Sequence, residues 1–105
     1  MSATNDQRIA AIREKVREER ALLSELNVRI SADLKKMLRP ASVYLNDVEG
    51  WLSRKILTHP PRSDNEMAKW LRFVEGILDR AVRHRKSVEA VIKKYGPDAR
   101  LVGGG

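Results

Sequence analysis

Histidine is the side chain whose ordinary pKa lies nearest neutrality, and this 105-residue chain has two, His59 and His84. His59 lies in "THPPRS" and His84 in "RAVRHRKSVEA", and neither has the spaced carboxylates or second histidine that would complete a metal ligand set or a triad. No serine or threonine stands in a nucleophile-elbow context. Asp47 and Glu49, in "YLNDVEG", are two residues apart, so on a helix they point to different sides and form no acid–base pair. With no cysteine, thiolate nucleophiles, thiolate metal sites and disulfides are excluded. The internal glycines, Gly50 and Gly76, are solitary, so no phosphate-cradling loop is present. The expectation is a non-enzymatic protein with no metal and no cofactor.

Charge is the chemistry that remains. The chain has 21 Lys plus Arg against 14 Asp plus Glu, a formal net charge of +7, which attracts phosphate-rich or acidic partners over about a Debye length. The excess is concentrated in "RAVRHRKSVEAVIKKYGP", residues 80–97, where Glu89 is the lone acid before Gly96. At 100° per residue from Arg80, the apolar residues Ile77, Ala81, Val88, Ile92 and Tyr95 cluster between about 60° and 120°, whereas Arg83, Lys86, Lys93 and Lys94 fall between about 220° and 320°. Arg80 and His84 flank one edge of the apolar stripe, and Arg85 lies against the other, where its stem can cover apolar surface. Any water-facing helix needs a charged outer side, and bases near its C-terminus are favoured by the macrodipole. The distinguishing feature is the near absence of acid: "REKVREER", earlier in the chain, mixes signs freely. Arg80, Arg83, Lys86, Lys93 and Lys94 are therefore the candidate nucleic-acid-binding residues.

The elements that must carry these residues are all helical. Aromatic residues are few, and Leu, Ile, Val and Ala supply most of the apolar content. Ile9, Val16, Leu23, Ile30 and Met37 recur every seventh residue, with Ile12 and Leu26 interleaved, which predicts one long helix over about 5–38 with coiled-coil-like packing. Two interleaved positions hold Glu19 and Asp33, costly to bury in a two-stranded seam unless they fix register. Pro40 disfavours helical geometry at Arg39, so a second helix is expected over about 41–57. The double proline in "THPPRS" marks a loop. Ser63 and Glu66 then form an S-x-x-E helix start, and Gly96–Pro97 a stop, bounding a third helix over about 64–95. Trp51 and Trp70 fall at periodic positions that suit core packing, and Gly76 suits a close helix crossing. Residues 1–96 are expected to form a single helical domain and 97–105 a flexible C-terminal tail.

The lengths carry an inference about assembly. Helices one and three would be about 45 to 50 Å long and helix two only about 25 Å, a long-short-long arrangement. The halves beyond helix two would leave Ile9, Ile12, Val16, Val88, Val91, Ile92 and Tyr95 in water, forfeiting about 1.5 to 3 kcal/mol for each large side chain. A second copy of the chain is the simplest cover, so these seven residues are the expected interface of a homodimer or higher even oligomer. No segment approaches the roughly 20 apolar residues of a membrane span, and a cytoplasmic location is the default. Two functions follow from different features. The basic third helix points to sequence-independent binding of DNA or RNA; the long amphipathic helices point instead to a protein–protein interaction module, an adaptor, chaperone or inhibitor. A membrane surface is the weakest partner, because no aromatic residue lines the basic helix interface.

Overall fold

The structure is a computed structural model and describes residues 3–100. Among them every regular element is helical: α1 (Ala3–Asn27), α2 (Ala32–Gly50), a π-helical turn (Trp51–Lys55), α3 (Ile56–Thr58) and α4 (Asp64–Tyr95). Trp51 and Ile56 have φ/ψ of −64/−43° and −62/−37°, so α2, the π-turn and α3 are one continuous rod. Three rods therefore run up, down and up. Arg8 reaches Glu75 and Glu19 reaches Arg85, which makes α1 and α4 parallel; Met37 meets His84 and Trp51 meets Trp70, which makes α2 and α4 antiparallel.

The expected first helix over 5–38 is corrected: it ends at Asn27. Ser31 caps a new helix by accepting a hydrogen bond from the Leu34 N–H at 3.3 Å, with Asp33 in the first turn where the helix dipole favours an acid. The Arg29 N–H donates to the Leu26 carbonyl, closing the turn at 3.0 Å. Ile30 keeps its place in the seven-residue series and is buried, but from within the turn, where it closes one end of the bundle. Pro40, expected to separate two helices, lies inside α2. Pro40 and Lys36 are both exposed, so the Lys36 carbonyl left without an intrahelical donor has water beside it. One residue further on, the Met37 carbonyl accepts from His84 Nε2 at 2.5 Å, tying α4 to the proline-bearing turn.

Moving the break from residue 39 to residues 28–31 lengthens the middle rod to Ala32–Thr58, about 40 Å, against about 37 Å for α1 and about 48 Å for α4. The long-short-long arrangement gives way to three rods of comparable length. The apolar stripes are consequently covered from within one chain. Ile12, Val16 and Val88 are buried in the same core as Leu34, Leu45, Val48, Leu71 and Val74, and Ile9, Val91 and Ile92 pack against that core half-buried. Tyr95 alone of the seven is exposed, at 65%. The uncovered stripe that called for a second copy is absent.

The end signals of α4 behave as expected, with one variation. Ser63 accepts from the Glu66 N–H at 3.1 Å, while the Glu66 carboxylate accepts from the Arg62 N–H at 3.2 Å, one residue before the cap. Gly96 takes φ +92° and donates its N–H to the Ile92 carbonyl at 2.7 Å. The first residues of the expected tail are held: the Ser31 N–H donates to the Pro97 carbonyl at 2.9 Å, and the Ser31 hydroxyl donates to the Ala99 carbonyl at 2.6 Å. Residues 101–105 of that tail lie outside the described residues. No described helix is long and apolar enough to cross a membrane.

Candidate nucleic-acid interface

A rigid α4 is what gives its basic side a fixed shape, and one buried ionic contact holds α4 to α1. Glu19 and Arg85 are 1% and 8% exposed and meet in a two-point pairing, Nε to Oε2 at 2.7 Å and NH2 to Oε1 at 2.9 Å. The remaining guanidinium nitrogen, NH1, donates to Glu89, one turn along α4, at 2.5 Å. The hydrogen bonds that Arg85 donates, to Glu19 first and then to Glu89, push its pKa up against the opposing effect of burial. Arg85 is thus a neutralised structural cation and not part of the water-facing charge. Glu19, the position that looked costly on an apolar seam, is the register-fixing partner.

The five predicted nucleic-acid contacts, Arg80, Arg83, Lys86, Lys93 and Lys94, are all exposed. Arg83 is paired with Asp79 one turn earlier at 2.7 Å, and Lys94 Nζ lies 5.2 Å from the centroid of the Tyr95 ring. Among the described residues, no carboxylate lies within 4.0 Å of the charged groups of Arg80, Lys86 or Lys93. Lys93 and Lys94 occupy the last turn of α4, where the unfilled carbonyl ends favour cations.

Two further features were not evident in the sequence. A groove of about 460 Å³ between α1 and α2 is lined by Arg20, Ser24, Asn27, Lys35, Arg39 and Ser42 among others. Arg20 is committed to Glu49 and Asn46, each at 2.8 Å, whereas Lys35 and Arg39 have no carboxylate partner among the described residues. The Ser31 cap is the signal that could have revealed this groove, because it turns Lys35 and Arg39 back alongside α1. The second feature is aromatic. Trp51 and Trp70, expected in the core, are half-buried, and Trp51 meets both Trp70 and exposed Phe73 with ring centroids 5.0 Å apart and interplanar angles of 85° and 70°. Lys55 Nζ lies 5.6 Å from the Trp51 ring centroid.

Gly76 does not mark a helix crossing: a Cβ built there meets no atom within 4 Å. The histidines do local work. His84 bonds the Met37 carbonyl, and exposed His59 lies 3.0 Å from the Thr58 hydroxyl through Nδ1. No cluster of three or more His, Cys, Asp or Glu able to hold a metal occurs among the described residues. The fold and this surface define an all-α, three-helix chain with an acid-poor basic face. No family model, curated protein or solved structure matches it.

Proposed function

We propose that this protein binds DNA or RNA through its phosphates, with little sequence preference, using the outer face of α4. The observation that carries the reading is the set of exposed cations Arg80, Lys86 and Lys93, unopposed by carboxylates among the described residues, on a helix whose buried cation Arg85 is separately neutralised. Each phosphate that such a side chain contacts releases condensed counterions, so affinity grows with contacts and falls with salt. Little sequence preference is part of the reading because the chain has no helix-turn-helix spacing and no zinc finger to hold a helix in a groove in fixed register. The alternative, a protein-interaction role, rests on surplus apolar stripes, and of those residues Ile12, Val16 and Val88 are buried in the chain's own core and Ile9, Val91 and Ile92 pack against it, which leaves Tyr95 exposed.

The test is a binding titration with a random-sequence oligonucleotide at low salt. The wild-type protein is expected to bind, and the variant carrying Arg83→Glu, Lys86→Glu, Lys93→Glu and Lys94→Glu is expected to lose binding while keeping its helical circular dichroism. Equal binding by both proteins would remove α4 from the interface.

A further inference from the structure

The basic face of α4 does not stop at Arg80. On the helical wheel, Lys69, Phe73, Gly76, Arg80, Arg83 and Lys94 fall within a strip about 80° wide, so one exposed ridge runs from the aromatic cluster to Lys94. Phe73 is 54% exposed in the middle of a helix whose other large apolar side chains, apart from Tyr95 at its end, are buried or half-buried. Its contact with Trp51 is edge-on, 5.0 Å between centroids at 70°, which covers at most one face of the Phe73 ring. Gly76 sits one turn beyond Phe73 and one turn before Arg80. Nothing occupies the space where its Cβ would be, so this helix-interior glycine, which costs about 1 kcal/mol relative to alanine, has no packing reason to be there.

From this continuity of an exposed aromatic ring braced by Trp51, a bare stretch of helix backbone and a line of cations, we infer that the ridge is a binding site for single-stranded nucleic acid, with an unpaired base stacked on Phe73. The inference rests on the phosphate-binding reading and adds the class of ligand. Trp51, itself braced by Trp70, holds the Phe73 ring in place before a base arrives, so little side-chain freedom is lost on stacking. Gly76 lets the sugar–phosphate backbone pass closer to the helix axis than a side chain would allow. Lys69 lies about 6 Å from Phe73 along the helix on one side and Arg80 about 10 Å on the other, flanking the stacked base with cations at a spacing suited to successive phosphates. A duplex offers phosphates to the same cations, but its bases are stacked inside and present no face to Phe73. Asp79 borders the strip and pairs with Arg83, but Lys69, Arg80 and Lys94 have no carboxylate partner among the described residues, which favours a polyanion over a neutral apolar peptide as the occupant.

The experiment compares an oligothymidylate with a random duplex of equal length, read by anisotropy of the labelled nucleic acid and by tryptophan fluorescence. The wild type is expected to bind the single strand more tightly than the duplex and to show quenching of Trp51 and Trp70 with the single strand only. Phe73→Ala is expected to weaken single-strand binding by about 5- to 100-fold, the range for loss of one stacked base, with duplex binding unchanged. Phe73→Tyr, which keeps the ring, is expected to retain it. Binding of both nucleic acids with no effect of Phe73→Ala, or an equal loss on both, overturns the stacking site and leaves phosphate binding standing. Binding of neither overturns both.

Discussion

Glu19 and Arg85 are the residues whose placement asks most of the chain, since each must leave water as an ion. The two-point pairing and the additional Glu89 contact satisfy the guanidinium on both sides, and among the described residues no buried side-chain nitrogen or oxygen lacks a partner. Glu19→Ala would leave Arg85 with Glu89 as its one carboxylate partner, and is expected to lower the unfolding free energy by about 3 kcal/mol in urea denaturation, the low end for a broken buried pair, whereas Glu19→Leu with Arg85→Met should return most of that loss. Because the folded-state pKa of Arg85 is raised, its contribution is fully present below the unfolded-state value and is lost only as pH rises through the folded value. Both lie well above the neutral and mildly alkaline range, so the Arg85 contribution should be flat between pH 6 and 10. Gly76→Ala is the opposite case, with open space at the Cβ position, and a gain of about 0.5–1 kcal/mol is expected from the shift of its urea midpoint. In the sequence, Glu19 could be recognised as misplaced on an apolar stripe, but its partner lies 66 residues away and only the fold brings them together. The exposed cations Arg80, Arg83, Lys86, Lys93 and Lys94 were readable because a long, capped helix fixes its own outer face; Phe73 was not, because its exposure depends on how α2 crosses α4.

Between elements, the decisive residue is Ser31. Its hydroxyl accepts from the Leu34 N–H and donates to the Ala99 carbonyl, and its backbone N–H donates to the Pro97 carbonyl, so one residue starts α2 and fastens the chain beyond α4. Ser31→Ala removes both side-chain bonds. It should cost about 1 kcal/mol from the cap, and faster amide exchange is expected at Leu34 and in the first turn of α2. Unchanged stability and exchange would contradict the capping role. The competition between Ser31 and Pro40 explains the misplaced break. Proline is the stronger breaker by propensity, yet its cost falls when its freed carbonyl faces water and the rest of its helix is packed, as Leu34, Leu38, Ala41 and Leu45 are. A seven-residue periodicity reads through a short turn without interruption when a turn residue such as Ile30 also contributes to the core. The third helix was legible end to end because its start and stop signals coincide with its periodicity and no neighbour overrides them.

Over the whole molecule, three rods of comparable length pack into a body 53 Å long and 23 by 17 Å across. A core shared by all three leaves the chain's chemistry on its surface, and a net charge of +7 makes that surface electropositive. Equal rods account for the buried positions of Ile12, Val16 and Val88 without a second copy, and they present α4's outer face along nearly the full length of the molecule. The phosphate binding proposed for this face would have a signature that no structural role of the same charges would share. The measurement is the dependence of oligonucleotide affinity on salt between 50 and 200 mM, for the wild type and for the Arg83, Lys86, Lys93 and Lys94 to glutamate variant. With Arg80, Arg83, Lys86, Lys93 and Lys94 all engaged, log affinity is expected to fall against log salt with a slope between about −3.5 for a single strand and about −4.5 for a duplex. A wild-type slope near zero, or the same slope in the variant, would contradict the account.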